Sequence, residues 1–221
     1  MQINKNKLKE AAYDLRFLLD RGYRKKGALN FVANKYVLNK RERNYLARSV
    51  FSSLKSKERQ EKIVDISKIR DKFLLVDGYN ILITVESIYD RNQDSIILCD
   101  DMILRDLNAV FGKYKFSNIT KKALNAILGL IHLYNPVYVT FFFDSPVSFS
   151  GKLGNLTKKI MDNYDLPGNV RLSKNVDIEI VELSNVKKGI VATSDSVIMD
   201  KVEKVVDIPS HICEMQKNSN I

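Results

Sequence analysis

The sequence predicts an α/β protein in which a parallel sheet flanked by helices follows a small, basic, all-α region. Two observations lead to this prediction. From residue 71 onwards, short β-prone apolar runs alternate with helical patterns, the order expected of strands joined by crossover helices. Before residue 71, apolar residues recur at helical spacing. With 221 residues and 45% apolar residues, the chain is long enough for one ordinary domain and a small second one.

Three short helices are predicted in the N-terminal 55 residues. An amphipathic stripe runs from Leu8 to Leu19 and stops at Arg21-Gly22, and a second helix is indicated by the apolar residues of 28–36. A third follows Asn39, which has capping-box spacing to Glu42. These helices predict a basic helical domain over residues 1–55.

The rest of the chain divides into three further regions. Residues 56–70 are mostly charged and lack glycine and proline, which fits either a connecting helix or an extended linker. Residues 71–212 are predicted to be the α/β domain, with Thr120 capping a helix that Asn135-Pro136 ends. Residues 213–221 are predicted to be a disordered tail. Strands are expected near 73–76, 137–143, 170–172, 189–193 and 205–208, and further helices near 177–183 and 196–204.

The net excess of positive charge lies in the N-terminal third. Residues 1–70 hold 19 Lys and Arg against 7 Asp and Glu, whereas the remaining residues hold 17 against 19. A basic segment of this kind is typical of a polyanion partner, although a solvated lysine-rich surface would look the same. The residues expected to hold a nucleic-acid backbone are Arg21, Arg24, Lys25, Lys26, Lys40, Arg41, Arg43 and Arg48.

Several classes of protein are disfavoured by what the sequence lacks. It has no signal-peptide pattern and no apolar run of the roughly 20 residues needed to cross a bilayer, so we expect a cytoplasmic protein without membrane contact. Cys99 and Cys213 lack metal-ligand spacing and are expected to be reduced thiols. His132 and His211 also lack a partner ligand and are expected to be structural. Nucleotide-binding glycine loops and a serine-hydrolase elbow are absent, and 151–155 is interpreted as a flexible rim or a loop before a helix.

Aspartates follow three of the predicted strands. Asp77 comes after the first apolar run, Asp144 after the longest, and Asp195 after a later one. Each motif alone is also an ordinary turn or cap. The carboxyl ends of parallel strands meet at one edge of a sheet, however, and clustered carboxylates repel one another unless a cation is bound. The pattern therefore predicts a metal site, and its oxygen ligands favour Mg²⁺ or Mn²⁺.

These motifs resemble those of the PIN/NYN-like nuclease superfamily. Leu75-Val76-Asp77-Gly78-Tyr79-Asn80-Ile81 looks like the opening NYN motif, and the segments around Asp144, Asp177 and Asp195 match later motifs in the same order. The resemblance implies that four aspartates form a metal-binding catalytic centre, with Asn80 orienting a carboxylate or the scissile phosphate. Many NYN domains have Gly-Asp-x-Asp in the last motif, whereas this chain has Ser194-Asp195-Ser196-Val197 and its next acid is Asp200.

The two-part layout also resembles an archaeal family of uncharacterised proteins with a basic helical N-terminal domain. Segments that carry this resemblance include Arg21-Gly22-Tyr23, Cys99-Asp100-Asp101 and Ser150-Gly151-Lys152-Leu153. A further polar group, Asp100, Asp101, Arg105 and Asp106, follows an apolar run. We expect one of these acids, Asp101, to join the metal site and Arg105 to contact phosphate, against the alternative of an N-cap with a surface ion pair.

These observations predict a Mg²⁺- or Mn²⁺-dependent endoribonuclease in RNA processing or decay, with the basic domain on the RNA backbone. A catalytically silent PIN-like RNA-binding or adaptor protein is the alternative. In a third interpretation, the basic domain binds a protein partner or forms a homodimer.

Overall fold

The computed structural model describes residues 5–90, 95–107 and 114–219. Its N-terminal region consists of four helices, followed by a 3₁₀ turn at Ile66–Ile69: α1 (Lys5–Asp20), α2 (Lys25–Lys35), α3 (Lys40–Ser49) and α4 (Ser53–Gln60). Helices α1 to α3 pack around a core of their own that includes Leu8, Leu15, Val32 and Leu46. The predicted capping box is confirmed, because Asn39 and Glu42 each accept the other's backbone N–H.

The rest of the chain is an α/β structure built on a five-stranded sheet. In chain order its elements are β1 (Phe73–Asp77), α5 (Gly78–Tyr89), β2 (Ile96–Leu98), β3 (Leu104–Asp106), α6 (Asn118–Tyr134), β4 (Tyr138–Asp144), α7 (Ser150–Asn163), β5 (Gly168–Ser173), α8 (Val176–Lys187), β6 (Ile190–Ala192), α9 (Ser196–Lys201), β7 (Val205–Val206) and α10 (Ile208–Ser219). The main sheet has the order β5-β4-β1-β6-β7, and its paired strands are all parallel. Strands β2 and β3 form a separate antiparallel pair.

The alternation of apolar residues along β1 explains why helices cover both faces of the sheet. Leu74 and Val76 belong to a core shared with α5, α6, α7 and α10. Leu75 points to the other face and packs with residues of α8 and α9 such as Ile180 and Ile198. Because successive side chains of a strand point to opposite faces, a continuous apolar run is what a sheet covered on both sides requires.

The order of the strands creates a crevice beside β1. From β1 the chain moves outward to β4 and β5, and then returns past β1 to add β6 and β7 on its other side. Crossover helices that leave to opposite sides at this point leave a gap outside the carboxyl ends of the strands, which is where ligands of open α/β sheets bind. The topological switch point, where the strand order reverses, lies between β1 and β6.

Three details differ from the sequence predictions, and one that the sequence left open is decided. Ser117, not Thr120, is the N-cap of α6, with Thr120 as the third residue of its capping box. The glycine-containing segment 151–155 lies inside α7, since its residues present a buried face that includes Leu153. The expected disordered tail is helical to Ser219, because α10 buries Ile208 and Ile212. The charged connection 56–70 is part helix, part 3₁₀ turn, and its residue Ile63 forms a parallel bridge with Val205.

The predicted end of the helix before β4 is confirmed. The helix before β4 ends at Asn135, which adopts the left-handed conformation with φ 49°. Both cysteines are free, Cys99 buried and Cys213 half-buried. Within the described ranges, no helix is both long and apolar enough to cross a membrane.

Candidate metal centre

The sheet brings the predicted aspartates to one edge. Asp77 and Asp144 are the last residues of the neighbouring strands β1 and β4. Asp195 follows β6 and is the N-cap of α9, where its Oδ1 accepts the backbone N–H of Val197 at 2.6 Å. Asp177 lies in the first turn of α8, just after β5. All four therefore lie at the carboxyl ends of the parallel strands, and Asp77 and Asp195 flank the switch point.

Asp77 is the most deeply buried of the four, at 2% exposed. Its Oδ2 accepts hydrogen bonds from Asn80 Nδ2 at 2.6 Å and from Thr193 Oγ1 at 2.7 Å. Burial raises the pKa of Asp77 to about 7; the carboxylates of Asp195 and Asp144 act in the same direction, and the two hydrogen bonds act against it. The predicted role of Asn80 in orienting a carboxylate thus has a contact to support it.

Neighbouring carboxylates raise the pKa of three of the four aspartates. Burial raises the pKa of Asp144, and the Asp177 carboxylate raises it further. Burial also raises the pKa of Asp177, and the Asp195 carboxylate raises it further. The carboxylates of Asp195 and Asp144 raise the pKa of Asp77 in the same way. Repulsion between these carboxylates therefore disfavours the ionised forms of Asp77, Asp144 and Asp177. A bound cation would remove that penalty.

A tight strand-to-helix turn at Gly78 positions Asp77. A Cβ built on Gly78 would lie 2.6 Å from the carbonyl oxygen of Phe142 and would overlap the Phe143 ring. Only glycine lets α5 begin directly after β1 while β4 stays at sheet distance. The Asp-Gly sequence is therefore required by packing at this edge, which also fixes the direction of the Asp77 side chain.

The donor set suits a hard divalent cation. Carboxylates and an amide oxygen are the ligands that Mg²⁺ and Mn²⁺ prefer, and no cysteine or histidine is needed. In the parts of the chain that the structure describes, no three acidic, histidine or cysteine side chains stand at ligand spacing around one point. Coordination by this group would require the exposed Asp177 and half-buried Asp144 to turn towards Asp77.

Asp101 and Arg105 are not part of this group, which corrects the prediction for both. Asp101 is fully buried, and its two carboxylate oxygens accept from Arg105, at 2.5 Å and 2.8 Å, and from Arg59, at 3.1 Å. Arg105 is 5% exposed, and its Nε donates to the carbonyl oxygen of Ser194 at 2.7 Å. A carboxylate held by two arginines has no capacity left for a metal, and a buried arginine does not reach a phosphate. The alternative was a surface ion pair. Asp101 and Arg105 do form an ion pair, but this pair is buried.

Asp200, the first acid after the Asp195 motif, is also engaged elsewhere. Asp200 pairs with Arg59, with an Nε to Oδ1 distance of 2.8 Å. Arg59 belongs to α4, so it ties the N-terminal region to both Asp101 and Asp200. Asp200, the next acid after Asp195, is thus held in a structural ion pair.

A cleft of about 180 Å³ opens beside the aspartates. Its lining joins Asn80, Asp144 and Ser194 of the sheet edge to Arg48 of the N-terminal helix α3. The Arg48 guanidinium donates to the carbonyl oxygen of Asp106 and lies 3.9 Å from its carboxylate. We call this space the Arg48 cleft. It places one predicted phosphate-binding residue next to the candidate metal centre.

The other predicted basic residues have differing environments. Arg43 donates to Leu38 O at 3.2 Å and to Asn34 Oδ1 at 2.9 Å, contacts that hold α2 and α3 together. Lys25 is half-buried 3.8 Å from the centroid of Phe51, and burial lowers its pKa to about 8, with Arg59 and Arg105 acting in the same direction. The remaining predicted residues of this set are exposed on the helical region: Arg21, Arg24, Lys26, Lys40 and Arg41.

Two site residues carried no assigned role in the sequence interpretation. Thr193 ends a predicted strand and had no predicted role, yet its hydroxyl donates to Asp77 and accepts the Asp195 backbone N–H at 3.0 Å. Tyr79 follows Asp-Gly, but only the structure shows that it lines the Arg48 cleft. A hydroxyl directly after a buried strand was the available signal for Thr193.

The fold and site thus define an α/β protein with an acidic carboxyl edge and a helical N-terminal region. Residues 66–211 match the family model described as a domain of unknown function, DUF5616, and residues 7–62 match DUF434, described as a protein of unknown function. The first match spans more than half of the chain, so the chain belongs to the DUF5616 family.

A relative agrees with the predicted archaeal resemblance. The chain is 36% identical over 212 residues to the uncharacterized protein MJ0935 of Methanocaldococcus jannaschii, which covers 95% of this chain and 98% of that protein. No solved structure matches the chain. The two family descriptions and the relative's name state no activity and mention no PIN or NYN domain.

Proposed function

We propose that this protein is a cytoplasmic, Mg²⁺- or Mn²⁺-dependent endoribonuclease whose centre is the carboxyl edge of the sheet. The observation that carries the proposal is that four aspartates, Asp77, Asp144, Asp177 and Asp195, lie at the carboxyl ends of the parallel strands, with Asp77 and Asp195 beside the topological switch point. Four acids gathered where ligands bind, with no basic partner among their hydrogen bonds to the described residues, suit a cation and a phosphodiester better than a structural role.

The residues at the carboxyl edge would have different roles. Asn80 and Thr193 hold the Asp77 carboxylate by two hydrogen bonds, so that its direction is set before a ligand arrives. Asp144, Asp177 and Asp195 would complete the ligand set for a divalent ion. Such an ion, when bound, lowers the pKa of a coordinated water and offsets charge on the phosphoryl oxygens.

Arg48 and the exposed basic residues of the helical region would hold the RNA backbone. Arg48 is the link between the two functions, because it belongs to α3 and lines the cleft beside Asp144. Phosphate contacts of this kind orient a strand without reading its sequence. The excess of positive charge in residues 1–70 supports the same assignment.

Labelled RNA incubated with the protein and Mn²⁺ tests the proposal. Wild type should cut the RNA, EDTA should abolish cleavage, and Asp77→Asn and Asp195→Asn should each lower the rate at least about a hundredfold, in line with loss of a metal ligand. Asp162→Asn, an exposed aspartate on α7, is the matched control and should cut normally. Cleavage that survives both site substitutions contradicts the proposal. RNA binding without any cleavage would instead favour the catalytically silent alternative.

A further inference from the structure

The exposed aromatic rings of the protein are concentrated in its basic helical region. Among the described residues, five phenylalanine and tyrosine rings are exposed, and four of them lie within residues 13–31: Tyr13, Phe17, Tyr23 and Phe31. Aromatic side chains are usually well buried, because their exposure leaves a large apolar surface in water. Several exposed rings in one short segment therefore indicate a surface that binds a partner.

Two of these rings lie in one row along α1. Tyr13 and Phe17 are four residues apart, and Arg21 follows after a further helical turn, with its N–H bonded to Phe17 O at 3.3 Å. Tyr13 is 67% exposed and Phe17 is 48% exposed, and the Arg21 guanidinium lies 4.5 Å from the centroid of the Phe17 ring. The opposite face of α1 carries Leu8 and Leu15, which are buried in the core of the helical region. The row therefore points away from that core.

The charge around this row suits a polyanion. Residues 5–35 hold 9 Lys and Arg against 3 Asp and Glu. Of the three acids, Asp14 and Asp20 accept hydrogen bonds from other side chains of the region, at 2.6 Å and 2.8 Å, and Glu10 is exposed. A partner with both negative charge and flat apolar faces matches such a surface, because an apolar partner alone would leave the excess charge unmatched. The exposed basic residues include Lys9, Arg21, Arg24 and Lys26.

We infer that the row formed by Tyr13, Phe17 and Arg21 binds single-stranded RNA by stacking, with bases against the two rings and phosphates against the surrounding basic residues. Proteins that hold single strands combine a positive surface with exposed rings in this way. Bases of a duplex are already stacked and paired, so they do not reach rings on a helix surface. The inference rests on the proposed function only for the partner being RNA. It assigns contacts to bases, whereas the basic residues alone supply contacts to phosphates.

Binding of labelled oligonucleotides in EDTA tests the inference without cleavage. The probes are a single-stranded ribonucleotide dodecamer, the same strand without its bases, and the dodecamer in a duplex. Tyr13→Ala and Phe17→Ala should each weaken binding of the single strand about five- to tenfold, the contribution of one stacked base. Binding of the abasic strand and of the duplex should be unchanged, because both depend on phosphate contacts.

Further variants separate stacking from apolar contact and from folding. Phe17→Leu keeps an apolar side chain and should bind the single strand as weakly as Phe17→Ala, whereas Phe17→Tyr keeps the ring and should bind as wild type does. Leu133→Ala is the matched control, because it shortens another exposed apolar side chain, on α6, and should bind all three probes normally.

Three results would overturn the inference. Full affinity of both alanine variants for the single strand would place the bases elsewhere, and an equal loss for the abasic strand would show a backbone site only. A wild type that dimerises in light scattering, with Tyr13→Ala monomeric, would assign the row to a second copy of the chain. Cleavage that is normal while both alanine variants bind as wild type contradicts stacking and leaves the nuclease intact. Stacking without any cleavage contradicts the nuclease alone.

Discussion

Thr193 Oγ1 donates a 2.7 Å hydrogen bond to Asp77 Oδ2 and so joins the ends of the neighbouring strands β6 and β1. The same oxygen accepts the backbone N–H of Asp195 at 3.0 Å. One hydroxyl thus orients a buried carboxylate and positions the residue that caps α9.

Replacing Thr193 by valine should weaken metal binding. Loss of a hydrogen bond to the charged form raises the pKa of Asp77 further, and ligands without their supporting bond typically lose about 10- to 100-fold in metal affinity. Mn²⁺ affinity measured by calorimetry checks this expectation. Thr157→Val is the matched control, because it removes a buried threonine hydroxyl bound to Leu153 O within α7. Equal Mn²⁺ affinity of Thr193→Val and wild type would contradict the role of the hydroxyl.

The metal-free protein should lose stability as the pH rises through 7. The pKa of Asp77 is about 7 in the folded state and near 3.9 when unfolded, so the folded state holds a proton that the unfolded state has released. The resulting destabilisation is absent below about pH 4 and complete above about pH 7, on the order of a few kcal/mol. The raised pKa values of Asp144 and Asp177 act with the same sign.

Urea unfolding in EDTA at pH 5.5 and pH 8.5 measures this effect. Asp77→Asn should be more stable than wild type at pH 8.5 and should show a smaller change between the two pH values. Saturating Mn²⁺ should stabilise wild type more at pH 8.5 than at pH 5.5, because protons compete with the ion. A wild-type stability that rises over this range by the same amount as in Asp77→Asn would show that Asp77 ionises normally.

Asp101→Asn should destabilise the protein by about 3–5 kcal/mol, the usual cost of leaving a buried charge unpaired. Arg105 and Arg59 have side chains only 6% exposed, and Asp101 is the carboxylate they share. Thermal unfolding measures the loss. Asp162→Asn removes an exposed carboxylate paired with Lys158 and should change stability by less than about 1 kcal/mol. Similar midpoints for the two variants would mean that the buried pair contributes little.

Gly78→Ala should cost about 1–3 kcal/mol and impair the site, because the added methyl meets the backbone of Phe142. Chemical denaturation and Mn²⁺ affinity together measure the two effects. Gly151→Ala provides the contrast: it lies in α7 with open space around its Cβ position, and alanine there should stabilise the helix by about 0.5–1 kcal/mol. If Gly78→Ala behaved like Gly151→Ala, the tight turn would not be required.

The exposed basic residues should contribute to RNA binding through phosphate contacts. Lys26→Gln should weaken binding of any RNA sequence alike and lower the slope of log affinity against log salt by about 1. Anisotropy titrations at three salt concentrations give that slope. Lys187→Gln removes the same charge near Phe73, at the start of β1, and should leave the slope unchanged. Equal slopes in all three proteins would remove Lys26 from the RNA surface.

Periodicity and strand-end residues were sufficient to predict the fold class and the edge of the sheet at which the aspartates lie. The signal was strong because β1 and β4 are continuous apolar runs that end in an acid, and a parallel sheet leaves few ways to arrange them. The positions of Asp77 and Asp144 followed directly.

The roles of Asp101 and Arg105 depended on contacts far along the chain. Asp101 is held by Arg59, which is 42 residues earlier and belongs to a helix that the sequence left undecided. Local patterns carry no information about such a partner. The helical tail was missed for a similar reason, since α10 gains its stability from packing on α5 and α6 rather than from its composition.

The bridge between Ile63 and Val205 has a consequence for dividing the protein. Val64 N donates to Val205 O at 2.8 Å, and Val205 N donates to Lys62 O at 2.9 Å, so the connecting segment shields the rim of the sheet as a sixth, minimal strand. A fragment that begins at residue 66 would uncover hydrogen-bonding groups of β7, and bare strand rims recruit other chains. A shortened protein should therefore keep residues 62–64, which cover the hydrogen-bonding groups of β7.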